Sequence, residues 1–107
     1  MTPENVSAVI DTVKGTVLSN DRIAMFNKVC AIDPHDTVVI EELSELIKAV
    51  SKINRCHNNE HLKSLMEEIA DVRIVIERIM RKYNIKEDDI DKLIVFKINR
   101  FIDRYGI

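Results

Sequence analysis

Glycine and proline, the residues that most readily end a helix, occur only twice each in the 107 residues, at positions 15 and 106 and at positions 3 and 34. A chain so short of breakers lacks the many turns of a β-sandwich or barrel and is confined to a few long elements. Apolar residues recur at helical spacing between those breakers, so the expected fold is all-α. Val6, Val9, Ile10, Val13 and Val17 form the first set, after a start at Thr2 with Pro3 in the first helical position. Ile23, Ala24, Phe26 and Val29 form a second, and Gly15 and Asn20 leave open whether these are one kinked helix or two. Pro34 enforces a turn over residues 32–36.

Three longer helices follow. The first runs from about Asp36 to Asn54, with Val39, Leu43, Leu46, Val50 and Ile53 as its apolar stripe. The next runs from about Glu60 to Tyr83, on Leu62, Leu65, Ile69, Val72, Ile76, Ile79 and Tyr83, with Ile74 and Val75 widening the stripe and Asn84 as a capping residue. The last runs from about Glu87 to Arg104, acidic in its first turn and basic in its last, matching the helix dipole at both ends. Short connections between such helices give a four- to five-helix antiparallel bundle of one domain. At this length the core is small, so association with further copies is expected to complete it.

Composition narrows the function classes. The net charge of −2 predicts no general affinity for nucleic acid. No apolar run reaches the ~20 residues needed to cross a bilayer, and the first residues lack the basic-then-apolar order of a signal peptide. Cys30 and Cys56, outside any CxxC motif, are expected to be reduced thiols, and the chain is expected to be cytoplasmic. Glycine scarcity excludes a P-loop or a dinucleotide-binding loop.

Two acidic phrases carry the chemistry. Glu41-Glu42-Leu43-Ser44-Glu45-Leu46 and Glu67-Glu68-Ile69-Ala70-Asp71-Val72 each set carboxylates three apart, Glu42 with Glu45 and Glu68 with Asp71. Residues at that spacing share one edge of a helix. Each edge borders an apolar stripe, where unpaired carboxylates are costly unless a cation binds them. If the two helices pack antiparallel, four carboxylates converge in a site that favours Mg²⁺ or Mn²⁺ over zinc. Lys97, Arg100 and Arg104 line one edge of the last helix and suit the oxygens of a polyphosphate. Each set also has a plain structural reading: solvated acids paired with Lys48, Lys52 and Arg73, and cations complementing a helix C-terminus. Cys56, His57 and His61 match no standard zinc spacing.

The two phrases, in wording and spacing, resemble the ExxE…ExxD signature of MazG-like, all-α nucleoside triphosphate pyrophosphohydrolases, and Lys97-Ile-Asn-Arg100-Phe-Ile-Asp-Arg104 is similar to the basic tail helix of small members. The resemblance runs over about residues 20–104. It implies Mg²⁺ held by Glu42, Glu45, Glu68 and Asp71, and hydrolysis of a (d)NTP between the α and β phosphates to a nucleoside monophosphate and pyrophosphate. One of the four carboxylates would deprotonate the attacking water, and Lys97 and Arg100 would neutralise phosphate charge. Glu41 would be an extra acid for a second metal or merely exposed. It also implies a homo-oligomer, dimer or tetramer. The chain departs from the pattern in two places: His35 stands where many relatives carry a glutamine, and Asn99 follows Lys97 too closely for the commoner basic spacing. The alternative is an inactive helical metal- or nucleotide-binding interaction module of the same fold. A carboxylate-bridged di-iron site lacks the Glu-x-x-His partner it would need.

Overall fold

The structure, a computed structural model, describes residues 3–11, 19–32 and 36–106, and these are all-helical apart from short connections. Among the described residues five helices follow in order: α1 (Pro3–Ile10), α2 (Ser19–Cys30), α3 (Asp36–Arg55), α4 (Asn59–Lys82) and α5 (Glu87–Tyr105). The expected cap at Thr2, the residues Val13, Gly15 and Val17, and the turn residues Asp33–His35 lie outside the described residues. No helix among the described residues is long and apolar enough to cross a membrane.

Local chemistry explains the boundaries of α4. Asn58 is its N-cap: the backbone is extended there, and its side-chain oxygen accepts from the His61 N–H at 2.7 Å. At the other end Asn84 takes a left-handed conformation, φ 57°. The Ile85 N–H then donates to the Met80 carbonyl (2.8 Å) and the Asn84 N–H to the Arg81 carbonyl (3.3 Å), the two bonds of a Schellman stop. Asparagine suits the position because its short polar side chain tolerates φ > 0. α5 ends similarly at Gly106, φ 65°.

α4 is the hub. α1, α2 and α3 each pack against it, α3 most extensively. The α3–α4 connection is three residues, and Ile53 near the end of α3 meets Leu62 near the start of α4, so the two helices run antiparallel. Val9 of α1 completes that small core, with Leu65 and Met66 against it. Asn5 donates to the Asn59 side chain (3.1 Å), tying α1 to the start of α4. At the far end Arg78 donates to the Ile32 carbonyl (3.2 Å) and Arg81 to the Asn27 side chain (3.2 Å), tying α2 to α4.

Two parts of the expectation do not hold. Of the α3 stripe, Ile53 is buried and Val39 and Leu46 are half-buried, but Leu43 and Val50 are exposed, and Ala49 is the second buried residue. On α4, Leu62 and Val72 are buried and Leu65 and Ile79 half-buried, whereas Ile69, Ile76 and Tyr83 are exposed and Val75 and Met80 are buried instead. The physical reason is that each helix carries more apolar surface than one chain can cover. The second correction concerns α5, which packs against none of the other described helices. Its residues are exposed throughout apart from half-buried Ile90. The described helices of the single chain therefore do not form a closed bundle. Its radius of gyration, 16.7 Å, exceeds the roughly 13 Å of a compact chain of this length.

Loss of the α4 cap is expected to be felt directly. Asn58→Ala should cost about 1 kcal/mol in urea denaturation. Asn84→Gly should retain stability while Asn84→Val loses about 1–2 kcal/mol, because only the β-branched side chain opposes φ > 0. Equal stability of the two Asn84 variants would refute the left-handed stop.

Candidate metal centre

On α3, Glu42, Leu46, Ala49 and Ile53 follow at i, i+4, i+7 and i+11, so Glu42 stands on the same line as the two buried residues. On α4, Glu68, Val72 and Val75 follow at i, i+4 and i+7, and the last two are buried. Both glutamates thus occupy seam positions, not merely the border of the apolar stripe. The seam is apolar at its loop end and carboxylate at its open end.

Antiparallel pairing brings these acids together. Carboxylate oxygens of Glu42, Glu68 and Asp71 lie within 4.8 Å of one another, with Glu42 and Glu68 half-buried and Asp71 exposed. Glu45, the fourth expected member, is half-buried and sits outside that trio, paired with Lys48 at 3.4 Å. The plain salt-bridge reading thus holds for Glu45; no ion pair to Lys52 or Arg73 forms among the described residues. Glu41 is exposed.

The electrostatics record the crowding. The Glu68 carboxyl is raised above its ordinary value of 4.5, first by desolvation and then by the charges of Asp71, Glu45, Glu42 and Glu67. Glu45 therefore belongs to the field of the site although it is not in the trio. Glu67 is a contributor that sequence spacing did not single out; its place directly before Glu68 was the available signal. Every donor is a carboxylate oxygen, a set that fits a hard divalent cation such as Mg²⁺ or Mn²⁺ and offers zinc neither nitrogen nor sulfur.

The other candidates do not join this site. Cys56, His57 and His61 form no ligand cluster among the described residues: His61 donates from Nδ1 to the Cys56 carbonyl (2.8 Å), and both cysteines are free thiols, Cys30 buried and Cys56 exposed. Lys97, Arg100 and Arg104 are exposed on α5, which touches neither α3 nor α4, so one chain does not bring them to the carboxylates. They line instead an open cleft of about 590 Å³ with Phe101, Asp103 and Tyr105. The Arg100 guanidinium lies 5.7 Å from the Phe96 ring centroid. His35 lies outside the described residues.

Comparison with family models, with curated proteins and with solved structures gives no match for this chain.

The raised Glu68 carboxyl has a definite sign. The folded chain holds this proton more tightly than the unfolded one, so the group favours folding at low pH and its contribution is lost as pH rises from about 4.5 through the raised folded value. Without metal at neutral pH, Glu68→Gln should therefore raise Tm. Adding Mg²⁺ should raise the Tm of the unsubstituted chain and leave Glu68→Gln nearly unmoved. A fall in the Tm of Glu68→Gln without metal would refute the repulsion.

Proposed function

We propose that the chain is a Mg²⁺-dependent nucleoside triphosphate pyrophosphohydrolase, cleaving a (d)NTP between the α and β phosphates. The observation that carries this reading is the meeting of Glu42, Glu68 and Asp71 across the α3–α4 seam. It is the convergence that the MazG-like resemblance requires of the two acidic phrases. In this reading Glu42, Glu68 and Asp71 hold the cation, with Glu45 as fourth ligand once it leaves Lys48. A bound Mg²⁺ supplies Lewis-acid polarisation of a phosphoryl oxygen and neutralises charge. A carboxylate of the set accepts the proton of the attacking water. Lys97, Arg100 and Arg104 counter the negative charge that builds on the departing pyrophosphate. α5 lies apart from the carboxylates in one chain, so these cations act within a homo-oligomer, dimer or tetramer. Free thiols and an all-oxygen Mg²⁺ site suit the cytoplasm.

Turnover of a panel of canonical and modified dNTPs with Mg²⁺, resolving monophosphate and pyrophosphate, tests the activity. Glu68→Gln and Asp71→Asn should each lower kcat/KM at least ~100-fold with helix content retained, the size expected when a ligand to a catalytic metal is lost. Undiminished rates in both would sink the assignment.

The separation of α5 from the acids favours one second reading, an inactive helical metal- or nucleotide-binding interaction module. Calorimetry with Mg²⁺ and a dNTP separates the two. Stoichiometric binding without turnover of any nucleotide identifies the module.

A further inference from the structure

Two apolar surfaces in this chain are exposed and meet no other described helix. The first is on α3, where Ile40, Leu43, Ile47 and Val50 follow at i, i+3, i+7 and i+10, the spacing of a coiled-coil seam, and all four are exposed. They form a separate line from the one that packs on α4. At 100° per residue, Ile40 and Ile47 lie roughly 140–180° around the helix from Ala49 and Glu42.

The second is α5. Ile90, Ile94, Ile98, Phe101 and Tyr105 follow at i, i+4, i+8, i+11 and i+15 as one arc, with further apolar residues beside it. From Leu93 to Tyr105, eight large apolar side chains on this helix are exposed by 39–61%. Ile94, Ile98, Phe101 and Tyr105 of the arc expose roughly 100 Å² each and the four residues of the α3 line about as much, so the two surfaces together present about 800 Å² per copy, the area that one partner contributes to a standard protein interface. An apolar patch of about 400 Å² on α5 is of the size that marks an interaction site on a soluble domain. Intrachain packing does not satisfy it: the stop at Asn84 turns α5 away from α4, and α5 contacts no described helix.

We propose that two copies of the chain exchange α5, each α5 bedding its apolar arc on the outer apolar line of α3 in the other copy. The occupant is a second copy because this chain supplies both halves of the contact and leaves both uncovered. The α3 line runs about 15 Å from Ile40 to Val50 and the exposed part of the arc about 17 Å from Ile94 to Tyr105, so the two surfaces match in length. Lys97 and Arg104 border the arc instead of interrupting it, and Arg100 lies one step further round. The contact therefore buries no unpaired charge. Lys97, Arg100 and Arg104 make no ion pair among the described residues, so exchange breaks none there. Exchange also accounts for the excess radius of gyration: an arm held out in one chain becomes core in two.

The test needs no catalytic activity, so its result stands whether or not the hydrolase reading does. Light scattering at micromolar concentration should give an even multiple of the 12.4 kDa chain. Ile98→Asp with Phe101→Asp, and separately Ile47→Asp on α3, should each weaken association at least ~100-fold, as when a buried apolar anchor becomes a charge. Circular dichroism should show the helix content retained, since these side chains are exposed in one chain. Mixing Ile47→Cys with Ile98→Cys, each with Cys56→Ser, should give a disulfide between the two different chains under mild oxidation. Single-chain mass for the unsubstituted protein overturns the proposal, as does association that survives both sets of charges. So do disulfides only between two copies of Ile98→Cys, or only between two copies of Ile47→Cys, which would mean like helices pairing with like.

Discussion

The antiparallel seam between α3 and α4 is the contact on which everything else in this protein rests. At its loop end it is an ordinary apolar joint, Ile53 against Leu62, closed by Val9 from α1. Further along, the same helical periodicity puts Glu42 and Glu68 where a core residue would stand. The attraction that pulls the loop end shut forces like charges together at the open end, because the helices are stiff and cannot diverge over a few turns. Glu68, desolvated at the seam and set beside the other carboxylates, holds its proton more tightly. The seam thus pairs a packed apolar end with a crowded carboxylate end.

Around that seam the chain is unevenly covered. α4 meets α1, α2 and α3, and its two C-terminal arginines reach back to the end of α2 through carbonyl and amide oxygens. α3 meets α4 alone, and α5 meets none of the other described helices. A small domain has little apolar surface to spare, yet here much of it faces water on α3 and α5. The proposed exchange of α5 and the proposed need for its basic edge at a phosphate site are separate claims. Both start from the fact that α5 packs on none of the other described helices.

The sequence made much of this legible, and the reasons are local. The ends of α3, α4 and α5 fell within about a residue of expectation because Asn84 and Gly106, and acidic and basic turns at the proper ends, act within a few residues of themselves. The convergence of Glu42, Glu68 and Asp71 was legible for a related reason: a short loop leaves two successive helices no choice but to run antiparallel, and three-residue spacing then sets the edge. What was not legible was which of two apolar lines on α3 would be used. Leu43 and Val50 are as apolar as Ile53, and only the position of a neighbour decides between them. The separation of Glu45 from the trio was equally invisible, since its pairing with Lys48 depends on rotamers and not on spacing.

By itself, then, the sequence determined the helices, their stops and the two acid edges, because propensity, capping and periodicity act through neighbours along the chain. Only the tertiary structure decided which face of each helix is inside, that Glu42 and Glu68 stand in the seam, and that α5 stands apart from it. Those outcomes depend on which surfaces meet across tens of residues, and burial is a property of the pair in contact, never of one helix alone.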